Sequence, residues 1–245
     1  MNNNEQYNMT PAKRQQYILS AIQQYKTADV KELAGKLYVS AATIRRDLNH
    51  LEMTGLVKRT YGGAVLTEGL DAEIPLYARE SHNTDKKDYI CHLAASYVKD
   101  DDTIILDSSS TTARMIKFLA SKKNLKIITN GAKTAVLLTR LPNAVIYCTG
   151  GKMRENSLSY IGQTAIEYIK NFQADLLFFS CRGLSERGLA DSSDDEALLR
   201  RVMLQHSKKS ILLIDSTKIN VESFFFICGT DEVDHIICDD PSYCK

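Results

Sequence analysis

The sequence lacks the features of a membrane-spanning or secreted protein. No window of about 18 apolar residues occurs, and a transmembrane helix needs roughly that length. The first residues, MNNNEQYNMTPAKRQQ, are polar and contain no apolar stretch of the kind found in secretory signals. We therefore expect a cytoplasmic protein with no membrane partner and a short disordered tail at residues 1–9.

Clustered metal ligands are also lacking. The six cysteines include no CxxC pair, and the five histidines form no HxxxH or HExxH motif. Several cysteines lie in apolar runs such as AVIYC and HIIC, which is typical of buried, reduced thiols in a cytosolic protein. We predict no metal site and no cofactor.

The chain has little excess charge, because its net charge is only +1. That charge is unevenly spread: residues 1–67 contain nine Lys and Arg against five Asp and Glu, whereas residues 68–245 contain 22 against 25. A basic N-terminal segment on a slightly acidic body favours contact between that segment and a polyanion. The total of 245 residues allows one large or two modest domains.

Three short helices are predicted near the N-terminus. Apolar residues at helical spacing in KRQQYILSAIQQY indicate a first helix at about 11–24, and ADVKELAGKLYV indicates a second helix that begins after a capping aspartate. Ser40 is a good N-cap for a third helix. On that helix Ile44, Leu48 and Leu51 form the stripe that should be buried.

A glycine stop and a basic hairpin follow the third helix. Gly55 should end the helix, and LVKRTYGGAVL predicts two short strands around a turn at Gly62 and Gly63, which is a wing. Two short helices in close succession, the second opening on small residues, form the helix-turn-helix arrangement. Residues 10–66 are therefore predicted to be a winged helix-turn-helix domain, all-α with a small β wing.

The third helix is predicted to read the major groove of double-stranded operator DNA. Small residues at its start permit close approach, and its two arginines reach base edges or phosphates. In the wing, Lys58 and Arg59 would hold the DNA backbone beside the groove. The predicted contacts on and before the helix are Ser40, Ala41, Ala42, Thr43, Arg45 and Arg46. The alternative is a solvated helix face on which the arginine pair bonds Asp47 and Glu52.

The stretch ELAGKLYVSAATIRRDLNHLEMTGLVKRTYGGAVL strongly resembles the DeoR family of bacterial transcription regulators. The matching positions are Val39, Ser40, Thr43, Ile44, Arg45, Arg46, Asp47, Leu48, Leu51, Glu52, Gly55, Leu56, Arg59, Gly62, Gly63 and Ala64. A histidine commonly precedes the two glycines in this family, and Tyr61 stands there in this chain. The resemblance implies an operator-binding regulator in which Tyr61 contacts the DNA backbone.

The rest of the chain has the pattern of an α/β domain. Residues 67–85 lose hydrophobic periodicity and are predicted to be a linker. Within residues 86–240, apolar runs such as TIILD, LKIITN, ADLLFFSC and KSILLID alternate with helical patterns, which indicates a mainly parallel sheet covered on both faces. The predicted fold class is therefore α/β, with an N-terminal winged helix-turn-helix domain and a C-terminal α/β domain.

Polar residues follow the predicted strands at the edge where ligands bind in such folds. Hydroxyls and backbone N–H groups before a helix can cradle a phosphate, and a Gly-Gly pair lets a ligand approach the backbone. The candidate ligand residues are Asp107, Ser108, Ser109, Ser110, Thr111, Thr112, Asn130, Gly150, Gly151, Lys152, Arg182 and Lys218. Each has a plain alternative: the Ser/Thr loop is an N-cap, the glycine pair is a turn, and Lys218 pairs with Asp215 or stays solvated.

The C-terminal domain also resembles the sensor domain of the same family, which is related in fold to ribose-5-phosphate isomerase. In relatives this crevice binds phosphorylated sugars or similar metabolites, which implies a phosphorylated sugar effector here. Two positions depart from the family pattern. Ser109 replaces a frequent glycine, and Arg182 replaces a small or neutral residue, where it either adds a cation for the ligand or seals the pocket.

The leading functional prediction is a sequence-specific regulator without enzymatic activity or catalytic residues. It would repress a sugar or carbohydrate metabolism operon and act as a homo-oligomer, a dimer or tetramer. The rival is a sugar-phosphate isomerase with a DNA-binding head, in which Asp107, Glu196 and Lys218 serve as acid, base and electrophile. A third alternative is an architectural DNA binder without a ligand.

Overall fold

Two compact units make up the chain, and they divide between Pro75 and Leu76. We call them the head and the C-terminal unit. The computed structural model describes residues 9–53, 57–66 and 74–245. The predicted helix stop at Gly55, most of the tail at 1–9 and residues 67–73 of the predicted linker lie outside the described residues.

Three helices and three short strands are described in the head. They are α1 (Pro11–Tyr25), β1 (Thr27–Asp29), α2 (Val30–Leu37), α3 (Ala41–Met53), β2 (Val57–Arg59) and β3 (Gly63–Leu66). Asp29 caps α2, because its carboxylate accepts hydrogen bonds from the N–H groups of Lys31 and Glu32 at 2.7 and 3.1 Å. Strand β1 was not predicted, since an alternating pattern cannot show in three residues.

The core of the head is built from apolar residues of its three helices and of strands β2 and β3. The predicted stripe of Ile44, Leu48 and Leu51 on α3 is buried. The strands pair antiparallel in the order β1-β3-β2. Strands β1 and β3 approach so closely at Gly63 that an added Cβ would lie 1.9 Å from the carbonyl oxygen of Ala28, so this position requires glycine.

The C-terminal unit begins with a helix at residues 76–81, inside the segment that we predicted to be a linker, and a second helix starts at the end of that segment. The described elements are α4 (Leu76–Ser81), α5 (Thr84–Ala94), β4 (Thr103–Leu106), β5 (Lys126–Thr129), α6 (Ala132–Leu138), β6 (Val145–Cys148), β7 (Lys152–Arg154), β8 (Ser159–Ile161), α7 (Gln163–Ile169), β9 (Ala174–Phe179), β10 (Gly183–Ser185), β11 (Gly188–Asp191), α8 (Asp194–Gln205), β12 (Ser207–Ile214), β13 (Phe225–Cys228) and β14 (His235–Cys238). Helix α4 has only six residues, too few for a helical period to be visible in the sequence.

A six-stranded parallel sheet forms the centre of this unit, with the strand order β14-β12-β9-β4-β5-β6. Successive side chains of a strand point to opposite faces. Ile105 therefore packs into one buried cluster, whereas Ile104 and Leu106 pack into the other. The continuous apolar runs are explained by burial on both faces, and the predicted α/β class with a mainly parallel sheet is confirmed.

Smaller antiparallel elements flank the main sheet and were not predicted. They are the hairpin β7–β8 and the three-stranded sheet β10-β11-β13. The helical pattern predicted between the runs TIILD and LKIITN, ARMIKFLA, yields a 3-10 helix at Thr112–Phe118 in place of an α-helix. At its start, the hydroxyls of Ser109 and Thr112 bond nearby backbone groups, which competes with a regular α-helical start.

Candidate functional site

The outer face of α3 presents the two arginines predicted to contact DNA. The Ser40 hydroxyl caps the helix by accepting a hydrogen bond from the N–H of Thr43 at 3.1 Å. Because the opposite stripe is buried, Ala42, Arg45 and Arg46 are exposed at this end of the helix, while Ala41 and Thr43 are half-buried. Two guanidinium groups and the free N–H groups of a helix N-terminus together favour an anion.

Asp47 does not neutralise these arginines. It is 3% exposed and accepts hydrogen bonds from Arg14 on α1, at 2.5 and 3.2 Å, and from Gln15 at 3.2 Å. Within the residues that the structure describes, neither Arg45 nor Arg46 forms an ion pair. The alternative of an arginine pair bonded to acidic neighbours on its own helix therefore has no support here.

The wing places its predicted contacts in different surroundings. Lys58 is exposed, and Tyr61 at the turn is fully exposed, so both can reach a DNA backbone. Arg59 is half-buried, and its guanidinium donates to the carbonyl oxygens of Arg45 and Gly63 and to the side-chain oxygen of Asn49. Most of its donors are thus used inside the head, which the sequence did not indicate.

In the C-terminal unit, the predicted ligand loop follows strand β4. All six of its residues, 107–112, have exposed fractions of 5% or less. The Asp107 carboxylate accepts from the N–H of Ser109 at 3.0 Å and from the Thr112 hydroxyl at 2.8 Å, and Ser109 caps the N–H of Thr112 at 3.1 Å. These three side chains hold the loop in shape, so the N-cap alternative describes them well.

Other groups of the loop remain available to a ligand. The N–H groups of Ser110 and Thr111 make no hydrogen bond among the described residues. The Ser110 hydroxyl accepts a hydrogen bond from Lys87 at 3.2 Å. Two N–H groups, a hydroxyl and a cation side by side form a suitable cradle for a phosphate.

Lys87 on α5 is a buried cation that sequence reasoning did not assign. Its side chain is 3% exposed, and its ammonium also donates to the carbonyl oxygen of Arg79. Burial, together with the nearby charge of Lys218, lowers its pKa to about 8. A signal was present in the sequence, since Lys87 shares helical spacing with the buried Ile90, Cys91 and Ala94.

The ends of the neighbouring strands β5 and β6 are followed by buried polar side chains. The side-chain oxygen of Asn130 and the hydroxyl of Thr149 are buried and make no hydrogen bond within the described part of the chain. Asn130 donates to the hydroxyl of Ser108 at 3.4 Å and to the carbonyl of Tyr160 at 3.2 Å. Buried polar atoms without partners are uncommon and are satisfied when a polar ligand binds.

The glycine pair and the remaining predicted cations differ in backbone conformation, exposure and hydrogen bonding. Gly150 and Gly151 have φ values of 63° and 108°, which favour glycine. Lys152 begins β7 and is exposed. Lys218 is half-buried and donates to the carbonyl of Cys181 at 2.9 Å, so it is not a simple solvated lysine. The Arg182 side chain is half-buried.

Arg200 on α8 links the ligand loop to two further elements. This buried side chain bonds Asp107 at 3.1 Å, Asp191 at 3.0 Å and Glu196 at 3.5 Å. The hydroxyl of Ser159 donates to Glu196 at 2.7 Å. Although burial opposes it, the positive charge of Arg200 holds the pKa of Glu196 well below its usual range. Asp107 and Glu196 thus both bond the guanidinium of Arg200. The isomerase alternative would instead need these carboxyl groups to act as acid and base.

The described residues contain neither a candidate metal centre nor a candidate membrane span. The described ranges contain no group of three or more His, Cys, Asp or Glu residues that could hold a metal ion. No helix in the same ranges is long and apolar enough to cross a membrane.

Comparison with known proteins covers almost the whole chain. The family model described as the DeoR C terminal sensor domain matches residues 82–240, and that of the DeoR-like helix-turn-helix domain matches residues 14–69. The uncharacterized HTH-type transcriptional regulator YulB of Bacillus subtilis is 36% identical over 97% of this chain and 93% of its own length. The HTH-type transcriptional regulator GolR of Listeria innocua is 37% identical over 94% of this chain and 91% of its own length.

A third relative and one solved structure give the range of similarity. The HTH-type transcriptional repressor GlcR of Bacillus subtilis is 31% identical over 91% of this chain and 86% of its own length. Ribose 5 phosphate isomerase A from Neisseria gonorrhoeae is 14% identical, with a TM-score of 0.41 over 54% of this chain and 52% of that chain. A similarity that low carries no argument about function.

Proposed function

Because this chain belongs to the DeoR family of transcriptional regulators, we propose that it represses a sugar or carbohydrate metabolism operon by binding operator DNA, under the control of a phosphorylated sugar. The chain is a regulator and not an enzyme, as the sequence predicted. The isomerase alternative is therefore wrong. The proposal also includes a homo-oligomer, a dimer or tetramer, that acts in the cytoplasm.

The observation that carries the DNA-binding part is the pair Arg45 and Arg46. Both side chains are exposed on a capped helix, and the carboxylate of the next residue, Asp47, is already bound by side chains of α1. An arginine without an internal partner keeps its full set of donors for a guanine edge or a phosphate. Contacts from Ser40, Thr43 and the wing residues Lys58 and Tyr61 would add to these.

The test is a gel-shift titration with fragments of promoter DNA. Replacing a bidentate arginine contact to guanine costs about 1–3 kcal/mol, so Arg46→Ala should weaken operator binding by roughly 5- to 150-fold. Its thermal unfolding should match the wild type, because the side chain is exposed and has no ion pair with any described residue. Lys36→Ala is the matched control, since it removes a charge from an exposed residue of the same head that is already paired with Glu32. Equal losses in both variants would contradict a specific role for Arg46.

The effector part of the proposal is supported by the cradle at Ser110 and Lys87. A phosphate there would accept hydrogen bonds from two N–H groups that bond no other described residue, and it would pair with a buried ammonium. The side-chain oxygens of Asn130 and Thr149, which have no partner in the described ranges, would bond the hydroxyls of the sugar. Together these groups favour a ligand with one anionic end and several hydroxyls.

A thermal-shift screen of pentose and hexose phosphates tests this part. At least one sugar phosphate should raise the unfolding temperature of the full chain, whereas its parent sugar should not. The same compound should change operator affinity by about 5- to 150-fold, the range expected for a coupling free energy of about 1–3 kcal/mol. If the chain binds operator DNA but no phosphorylated sugar shifts its stability, only the effector part fails.

A further inference from the structure

Arg59 stands at the centre of a set of hydrogen bonds that join the wing to α3. Its backbone N–H donates to the carboxylate of Glu52 at 2.7 Å. Its guanidinium donates to the side-chain oxygen of Asn49, to the carbonyl of Arg45 at 3.4 Å and to the carbonyl of Gly63 at 3.3 Å. One residue of β2 is therefore bonded both to α3 and to the neighbouring strand β3.

The three acceptors on α3 lie along a single face of the helix. Residues 45, 49 and 52 are spaced by four and three positions, so they follow one another over two turns. Arg59 is the last residue of β2 before the wing turn. The set of bonds thus fixes the end of the strand from which the turn projects.

The position of that strand end matters for the rest of the wing. Strands β2 and β3 share only three paired positions, and so small a hairpin has little stability of its own. Lys58 and Tyr61 lie on either side of Arg59 in the chain, and both are exposed. Where these two side chains stand relative to the recognition helix depends on where Arg59 is held.

We propose that Glu52 and Arg59 are positioning residues, which set the wing against α3 so that Lys58 and Tyr61 meet the DNA backbone while Arg45 and Arg46 occupy the groove. This inference rests on the proposed DNA binding. It replaces the sequence prediction that Arg59 is itself mainly a phosphate contact.

The charge of Glu52 makes the proposal testable by the sign of an effect. A carboxylate near a DNA-binding surface repels phosphates, so its removal by itself should strengthen binding slightly. If Glu52 instead holds the wing through the N–H of Arg59, loss of the acceptor should weaken binding despite the loss of a negative charge. The variant Glu52→Gln separates the two effects, because the amide keeps an acceptor oxygen and removes the charge.

The experiment measures operator affinity and its salt dependence for the full chain and three variants. Glu52→Ala should bind about three- to tenfold more weakly than the wild type, the cost of one lost hydrogen bond, whereas Glu52→Gln should bind at least as tightly. The salt slope of Glu52→Ala should fall by about one phosphate contact, roughly 0.9 in log–log slope, because the wing no longer reaches the backbone. Glu32→Ala is the charge-matched control, and it should not weaken binding.

If Glu52→Ala unfolds the head, Arg59→Lys provides a second, independent variant. Lysine keeps the charge but cannot reproduce the forked bonds to Asn49 and Gly63. A positioning role for Arg59 therefore predicts weaker operator binding by the variant, whereas a simple phosphate contact predicts almost no loss of affinity. The proposal is overturned if Glu52→Ala and Glu52→Gln strengthen binding equally, or if folded Arg59→Lys binds like the wild type. Failure of the wild type to bind any promoter fragment would instead refute the proposed function itself.

Discussion

Binding of a sugar phosphate should weaken steeply as the pH rises above 8, because the buried ammonium of Lys87 loses its proton there. Burial lowers the pKa of this lysine from 10.5 to about 8. At pH 7 most molecules carry the charge that pairs with phosphate, and at pH 9 about one in ten does. A phosphate monoester is almost fully dianionic over the same range, since its second pKa is near 6. Affinity should therefore fall by about tenfold between pH 7 and pH 9.

The same shift has the opposite consequence for folding. A pKa of about 8 in place of 10.5 means that keeping this charge buried costs about 3 kcal/mol. Between pH 8 and 10.5 the unfolded chain holds a proton on Lys87 that the folded chain has released, so this group makes the fold more stable as the pH rises through that window. Effector binding and folding stability should thus respond to alkaline pH in opposite directions.

Calorimetric titration of the best sugar phosphate at pH 7, 8 and 9 checks the expectation. The variant Lys87→Met should bind weakly at pH 7 and show no further loss at pH 9. Lys123→Met is the matched control, because it removes an exposed lysine from the same unit, and it should keep both the affinity and the pH dependence of the wild type. An affinity for wild type that stays flat from pH 7 to 9 would refute the assignment of Lys87 to the phosphate.

Two further predictions concern stability, one for the head and one for the C-terminal unit. Gly63→Ala should destabilise the head by about 1–3 kcal/mol in urea unfolding, because its Cβ would collide with the carbonyl oxygen of Ala28; Gly35→Ala, with open space around the new Cβ, should not destabilise it. Arg200→Met should cost about 3–5 kcal/mol at neutral pH, since it leaves carboxylates such as Asp107 buried without their cation. That loss should shrink on acidification, because the charge of Arg200 keeps the pKa of Glu196 low only in the wild type and this advantage disappears as Glu196 takes up its proton. A loss independent of pH would contradict the expectation.

Much of the fold was predictable because its signals are local. The cap residues Asp29 and Ser40 begin the helices that they were expected to begin. The apolar stripe of α3 is buried, and the apolar runs of the C-terminal unit are parallel strands. The helix α4 and strand β1 were missed, since elements of six and three residues are too short to show a period.

The candidate site was predictable only in outline. The location of the polar residues at the strand ends could be predicted, because the carboxyl ends of parallel strands lie at one edge of a sheet. What each side chain does there could not be named, because a hydroxyl before a helix serves equally as a cap or as a ligand. Asp107 and Ser109 hold the loop in shape, whereas the N–H of Ser110 and the side-chain oxygen of Asn130 make no hydrogen bond among the described residues.

The sequence by itself determined the order of elements, the exposed arginine pair and the row of polar strand ends, because these depend on spacing between near neighbours. Only the tertiary structure decided which charges meet. Lys87 lies against Ser110 from 23 positions away, Arg14 holds Asp47 from 33 positions away, and Arg200 reaches Asp107 across 93 positions. No local sequence pattern indicates such pairs, because only packing brings the two residues together. Burial and neighbouring charges then change the pKa of a lysine or an arginine from its value in water.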